Sequence, residues 1–482
     1  MKRALAGLMV MMSMSVFAEQ TTPPAPAAPR EANLPKPAEK TLANGLRVIV
    51  VQKKGAPIVA AKLVVKTGGE ADPADRAGLA DLTASLLTKG TKTKSAAEIA
   101  ESIEALGGLL TSAAAWDSSS VDVNLMNSQL PRALAIVADV VRNPTFAKDE
   151  LDRLRDQNVD ALRVAMRQPA ALSRFVTARV VFGSGPYGHN LGGTPESLAR
   201  ITRDDVAAFH RQHYGPRNAV LVVAGDVTPA SVFALAEKNF GGWKGGEEVA
   251  GEKATITLMT PSAAAAKPRV VVVDLPDAGQ AAVTVARVGL RRADAAYFPA
   301  NVANSILGGG YSSRLNQEIR IKRGLSYGAS SVFDLRREPG PFTASAQTKN
   351  ESAAEVAGII VEELNRLGSE PVNDVELGPR KAVLIGSFGR SLETSSGIVN
   401  RIAALALYNL GLDEITRYIR GVQSVSAAGV RDFAAAHLGG NDATIVIVGD
   451  AKKFLEPLQK RFGEVRVIPI AALDLNAAGL QR

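Results

Sequence analysis

The sequence predicts an α+β protein made of two homologous domains, each a β-sheet with helices packed on one face. Three observations carry the prediction. A helix–turn–strand segment occurs twice at fixed spacing, runs of β-branched residues precede each copy, and long helical stretches follow those runs.

The repeated segment is Ile201 to Asp226, ITRDDVAAFHRQHYGPRNAVLVVAGD, which aligns without a gap to Val425 to Asp450, VSAAGVRDFAAAHLGGNDATIVIVGD, at an offset of 224. Val206 pairs with Val430, Phe209 with Phe433, His213 with His437, Ala219 with Ala443, and Gly225-Asp226 with Gly449-Asp450. Each copy reads as a helix, a turn and a short buried strand ending at Gly-Asp.

The remaining elements agree. Leu46–Val51, Val59–Val65 and Val121–Leu125 are β-branched or alternating, as half-buried strands require. Between the second and third of these, Ser95 and Glu98 form a capping box. Ile99, Ile103 and Leu106 make that helix's apolar stripe, and Gly107 stops it. The second half has matching strands at Val270–Val273, Ala281–Val288 and Phe342–Ala346.

Composition places these domains between polar segments. The 482 residues are 46% hydrophobic, enough for sizeable cores. Residues 1–18 have a secretory leader layout: Lys2 and Arg3, an apolar run from Ala4 to Phe17, and a small-residue cleavage site at Ala18. Residues 19–38 read as a Pro/Ala-rich tether and 251–268 as an interdomain linker. The domains then span 39–250 and 269–472, with a tail at 473–482. A leader and a chain without cysteine fit a secreted protein, most simply a periplasmic one, with no membrane span in the mature form. The formal net charge of +8, or +6 without Lys2 and Arg3, is spread along the chain, and no basic–aromatic ladder argues for nucleic acid.

Several ordered motifs resemble one family. Asn44-Gly45-Leu46 opens the first strand, Gly68-Gly69-Glu70 follows the second, and GLADLTASLLTKGT begins at Gly78. Together with Gly225-Asp226 these resemble the pitrilysin/insulinase family of zinc metallopeptidases from about residue 40 to 470. The resemblance implies a duplicated fold whose sheets are mixed and largely antiparallel. In that family Gly-Leu-Ala leads into His-x-x-Glu-His, whose spacing puts two imidazoles and a carboxylate on one helical face to hold Zn²⁺ and deprotonate its water. The corresponding positions here are Asp81, Ala84 and Ser85, and the place of the downstream Glu ligand falls on Ala161. These are degenerate zinc-motif positions, so no metal and no catalytic residue is expected in this chain. The four His residues, at 189, 210, 213 and 437, form no such motif; His210 and His213 lie one turn apart and read as structural.

The second half keeps what the first has lost. LGGGYSSRLNQEIRIKRGLSYG (307–328) resembles the family stretch in which an Arg and a Tyr seven residues apart contact substrate, and these map to Arg320 and Tyr327. A guanidinium and a phenol there would donate to a peptide carbonyl and its developing oxyanion. Arg314 reads as structural, and the glycine run lacks the phosphate-loop pattern. The resemblance therefore implies a secreted, non-catalytic, substrate-binding subunit of a heteromeric zinc peptidase. Its partner would be a homologous subunit carrying the zinc motif and the zinc, and its substrates extended peptides. The alternative is a stand-alone periplasmic peptide-binding or scaffolding protein. An independent hydrolase finds no G-x-S-x-G elbow to support it.

Overall fold

The structure, a computed structural model, describes residues 34–246 and 269–481. The leader, most of the tether and the interdomain linker lie outside these residues.

Twelve strands among the described residues form two six-stranded sheets. The first contains β1 (Ala38–Thr41), β2 (Arg47–Gln52), β3 (Ile58–Val65), β4 (Leu109–Ala114), β5 (Ser119–Met126) and β6 (Ala219–Gly225), in the order β1-β2-β6-β3-β5-β4. The second contains β7 (Arg269–Asp274), β8 (Ala281–Val288), β9 (Ala329–Phe333), β10 (Pro341–Thr348), β11 (Thr444–Gly449) and β12 (Val465–Pro469), in the order β12-β7-β11-β8-β10-β9. The five strands β2-β6-β3-β5-β4 repeat as β7-β11-β8-β10-β9. Only the outermost positions differ: β1 adds antiparallel to β2, whereas β12 adds parallel to β7. The sheets are mixed and largely antiparallel, with β2 parallel to β6 and β7 parallel to β11 at the repeated Gly-Asp strands. The duplication extends to side chains, since Phe209 packs on His213 at 4.5 Å and Phe433 on His437 at 4.9 Å.

The strands at the centre are buried on both faces. β6, AVLVVAG, is buried at every position, and β8 at its first six. One face of each sheet is covered by helices of its own half, as expected. The other face is covered by a helix from the other half. Pro169–Phe182 lies across β8 and β11, and Ser395–Leu407 lies across β3 and β6. Leu172, Val176 and Val180 of the first helix pack with Val271, Val273, Val446 and Val448. Ile398, Val399 and Ile402 of the second share a core with Ile49, Ala60, Val220 and Val222. A hydroxyl pair, Ser173 Oγ to Thr284 Oγ1 at 2.9 Å, satisfies both groups inside that apolar layer. Because each half closes the other's sheet, the described residues of the two halves form one compact unit. The tail joins it, with Leu473, Leu475 and Leu480 buried against the second sheet.

Candidate functional site

The helix that carries the degenerate motif, Leu79–Leu86, is locally intact. Gly78 enters it with φ 94°, and the Asp72 carboxylate accepts from the N–H groups of Gly78 (2.7 Å) and Ala80 (2.8 Å). This satisfies donors that a helix N-terminus leaves open. Leu79, Leu82 and Leu86 face the core. Asp81 is half-buried in the first turn; Ala84 is fully buried, and its carbonyl accepts from Ser112 Oγ of β4 at 2.7 Å. Ser85 is half-buried. Ala161 stands on an exposed face of the helix Lys148–Ala165, which packs against Leu79–Leu86.

The residues present do not fit a zinc ion. The methyl groups of Ala84 and Ala161 offer no lone pair, and Ser85 offers only a neutral hydroxyl. Burial pushes the Asp81 carboxyl up to about 6, the direction opposite to that produced by a nearby cation. Among the described residues no three His, Asp or Glu side chains converge on a point that could hold a metal.

Around this helix lies instead a set of buried acids. Burial raises Glu70 to about 7, against the pull of Arg337, and Asp72 to about 8, against its two backbone hydrogen bonds. Both values lie above those of the unfolded chain, so the folded state holds protons that unfolding releases. Stability contributed by such groups is present at low pH and is lost as pH rises through the folded values. Burial shifts His189, His210 and His437 down, which by the same linkage makes stability rise with pH around the ordinary imidazole value, an opposing effect that fades above about pH 7. The unfolding free energy is expected to fall by about 1–2 kcal/mol between about pH 7 and pH 8, less so in Glu70→Gln. Denaturant melts across that range check this, and a flat or rising profile would contradict it.

Glu70 also belongs to a contact between the halves. The Arg337 guanidinium donates to Glu70 Oε1 (3.1 Å), to the Lys66 carbonyl (2.8 Å) and to the Asp117 carbonyl (3.1 Å). Its backbone N–H donates to Asp117 Oδ2 at 2.7 Å, and the Tyr187 hydroxyl donates to Asp117 Oδ1 at 2.5 Å. Beside it, buried Arg336 lies over Trp116 (4.3 Å) and Tyr187 (4.5 Å). The edge of Trp116 meets His189 at 5.1 Å, whose Nε2 faces the Gly69 carbonyl at 3.0 Å. His189, unassigned from sequence, is thus part of the packing under the Gly68-Gly69-Glu70 turn. His210 is also structural: its Nε2 meets the Val141 carbonyl at 2.8 Å and its ring stacks on Tyr214.

In the second half, Arg320 and Tyr327 do meet. The Arg320 guanidinium lies over the Tyr327 ring at 4.7 Å from its centroid, and Tyr327 is 90% exposed. Arg320 rides on a π-helical turn, Asn316–Ile321, a wide turn common at functional sites. Gly324, at φ 62°, ends the turn and sends the chain into β9. Asn316, almost fully buried, ties the region together: its amide donates to the Ala329 carbonyl (2.7 Å) and the Gly310 carbonyl (3.1 Å), and accepts from the Ala329 N–H (3.1 Å). Arg314 is structural, forked onto Glu376 at 3.0 and 2.8 Å.

Sequence reasoning did not single out Tyr311, whose ring centroid lies 4.6 Å from the Arg320 guanidinium. The available signal was its place directly after three glycines. Gly308 and Gly309 leave no room for a Cβ, which would lie 2.3 Å from Ser331 N of β9 and 2.8 Å from Ser305 Cα of the helix Tyr297–Leu307, so the loop that leads to exposed Tyr311 sits tight between the two.

Comparison with known proteins is consistent with this architecture. Residues 47–184 match the model of Insulinase (Peptidase family M16), and residues 200–384 match the model of the Peptidase M16 inactive domain. A protein of Mycobacterium tuberculosis (strain ATCC 25618 / H37Rv), described as an uncharacterized zinc protease, is 30% identical over 90% of this chain and 98% of its own. A like-named protein of Streptomyces coelicolor is 26% identical, covering 84% and 88%. The crystal structure of a peptidase M16 inactive domain from Pseudomonas fluorescens superposes with a TM-score of 0.78 at 27% identity, covering 87% of this chain and 98% of that one. The chain belongs to the insulinase family of peptidases, family M16, as a member of the non-catalytic type that lacks the His-x-x-Glu-His motif.

Proposed function

We propose that this chain is the secreted, periplasmic, substrate-binding subunit of a heteromeric zinc peptidase. It supplies Arg320 and Tyr327 to the zinc site of a homologous partner that carries His-x-x-Glu-His and the metal. The observation that carries the reading is an asymmetry within one fold. The metal positions hold no ligand set, while the Arg320 side chain stands beside exposed Tyr327 with no hydrogen bond or ion pair to any described residue. A guanidinium whose donors are free is suited to a group that arrives from outside.

Extended peptide is the substrate class that fits. β4 and β9 are the outer strands on the corresponding sides of the two sheets. The outward backbone groups of β9 are taken at Ala329 by Asn316 and at Ser331 by Gly308, so the edge left for an added strand is that of β4, Leu109–Ala114. That edge also supports the second reading, a stand-alone peptide binder. Affinity purification of the tagged chain from its native envelope fraction separates the two. The expected result is a homologue with the zinc motif, recovered in fixed ratio and bearing zinc. Recovery of monomer or homodimer alone, with peptide still bound, would favour the stand-alone binder.

A further inference from the structure

The geometry points to a peptide carboxylate as the ligand of Arg320, with Tyr311 as a third contact residue that positions the guanidinium; we propose that this surface selects acidic peptides. The inference rests on the reading that this surface meets peptide, and adds which group it recognises.

The Arg320 guanidinium lies 4.6 Å from the Tyr311 ring centroid and 4.7 Å from that of Tyr327. No side-chain hydrogen bond takes any of its N–H donors among the described residues, so the fork is open to a ligand. Two parallel N–H donors in one plane match the two oxygens of a carboxylate, whereas an amide carbonyl engages one of them. The two phenol hydroxyls, on residues 64% and 90% exposed, are further donors beside it. No hydrogen bond to either hydroxyl is present among the described residues.

The surroundings sharpen the charge argument. Glu318, on the same turn, is already shared by Lys322 (2.5 Å) and Arg323 (2.6 Å), and Arg314 is held by Glu376. Arg320 is therefore the cation of this turn without a carboxylate among the described residues, next to two more cations sharing a single acid. The local field draws an anion to that place. The arrangement is fixed rather than accidental, since Asn316 binds both Gly310, which leads into Tyr311, and Ala329, which follows the Tyr327 turn.

The test is fluorescence polarisation of the full chain with a labelled extended peptide carrying one central glutamate. Its glutamine counterpart and C-terminally amidated versions of both serve as comparisons. The glutamate peptide should bind about tenfold more tightly than its glutamine counterpart, the value of one charge-assisted pair. Tyr311→Ala should erase that ratio, while Tyr311→Phe, which keeps the stacking ring, should retain most of it. If the glutamate and glutamine peptides instead bind alike and amidation weakens both about tenfold, the terminal carboxylate is the ligand and the proposal stands with that source. Equal affinity for all four peptides, with Arg320→Ala weakening each, would overturn the carboxylate assignment while leaving peptide contact intact. No binding by the wild type, or binding indifferent to Arg320→Ala, would overturn both.

Discussion

Replacing Arg337 with alanine is expected to lower the unfolding free energy by about 2–3 kcal/mol. Truncating one partner of a buried hydrogen-bonded charge pair costs about 3–5 kcal/mol. Arg337 is 35% exposed, which reduces that figure through solvent screening. The loss has a specific pH signature. Arg337 is the group that lowers the Glu70 pKa against burial, so its removal drives Glu70 further up. Below about pH 6 Glu70 is protonated with or without Arg337 and little charge is stranded; at about pH 8 the wild type has the ion pair, which the variant lacks. The destabilisation should therefore be larger at pH 8 than at pH 6. Denaturant unfolding at the two values measures it, and a pH-independent loss would mean that the carbonyl contacts to Lys66 and Asp117 matter more than the ion pair.

Arg337 also marks where sequence reasoning ended. Its partners Lys66, Glu70 and Asp117 lie more than 200 residues away, on the other half, and no local pattern joins them. The central strands were legible because β-branched runs buried on both faces have few other uses: Ala281–Val288 was expected and found with the same limits. The edge strands were not. AEKT, LLTSAA, ASSVF and VRVIP are short, small or charged, and become strands through pairing with a central neighbour. The exchanged helix Pro169–Phe182 was hidden for a different reason. It carries apolar residues around most of its circumference, which signals burial without indicating what buries it.

The site was legible in the same uneven way. The family resemblance singled out Arg320 and Tyr327, and their spacing agrees with it, because a turn at Gly324 returns the chain after one helical segment. The π-helical turn that aims Arg320, and the Asn316 amide that pins both flanking loops, depend on packing that a linear pattern does not encode. Tyr311 followed from neither period nor motif. Its place beside Arg320 depends on a glycine loop packed between β9, at Gly308, and the helix Tyr297–Leu307, at Gly309. The metal positions are the reverse case: the loss of ligands was read directly from residue types, and the structure adds that the helix frame persists, anchored by Asp72.

In the assembled peptidase, Arg320→Ala is expected to reduce peptide turnover by about a hundredfold, and Tyr327→Phe by about tenfold, with assembly unchanged. The magnitudes follow from what each removes. A preorganised donor aimed at developing negative charge is worth about 10²–10³ in rate, and a guanidinium contributes charge as well as hydrogen bonds. The phenol contributes one donor while its ring continues to support Arg320, so Tyr327→Phe loses less. Neither change should unfold the chain. Tyr327 is 90% exposed, and Arg320 makes no hydrogen bond or ion pair to a described residue that its loss would leave unsatisfied. The division between kcat and KM discriminates roles: loss of transition-state stabilisation lowers kcat, while loss of ground-state peptide contact raises KM alone. Size-exclusion chromatography and the zinc content of the complex should be the same for both variants and the parent. If both variants turn over peptide at the parental rate, the chain does not donate to the partner's site, and its part in the complex is that of a wall. A loss of zinc or of assembly alongside activity would instead mean that Arg320 and Tyr327 hold the subunits together.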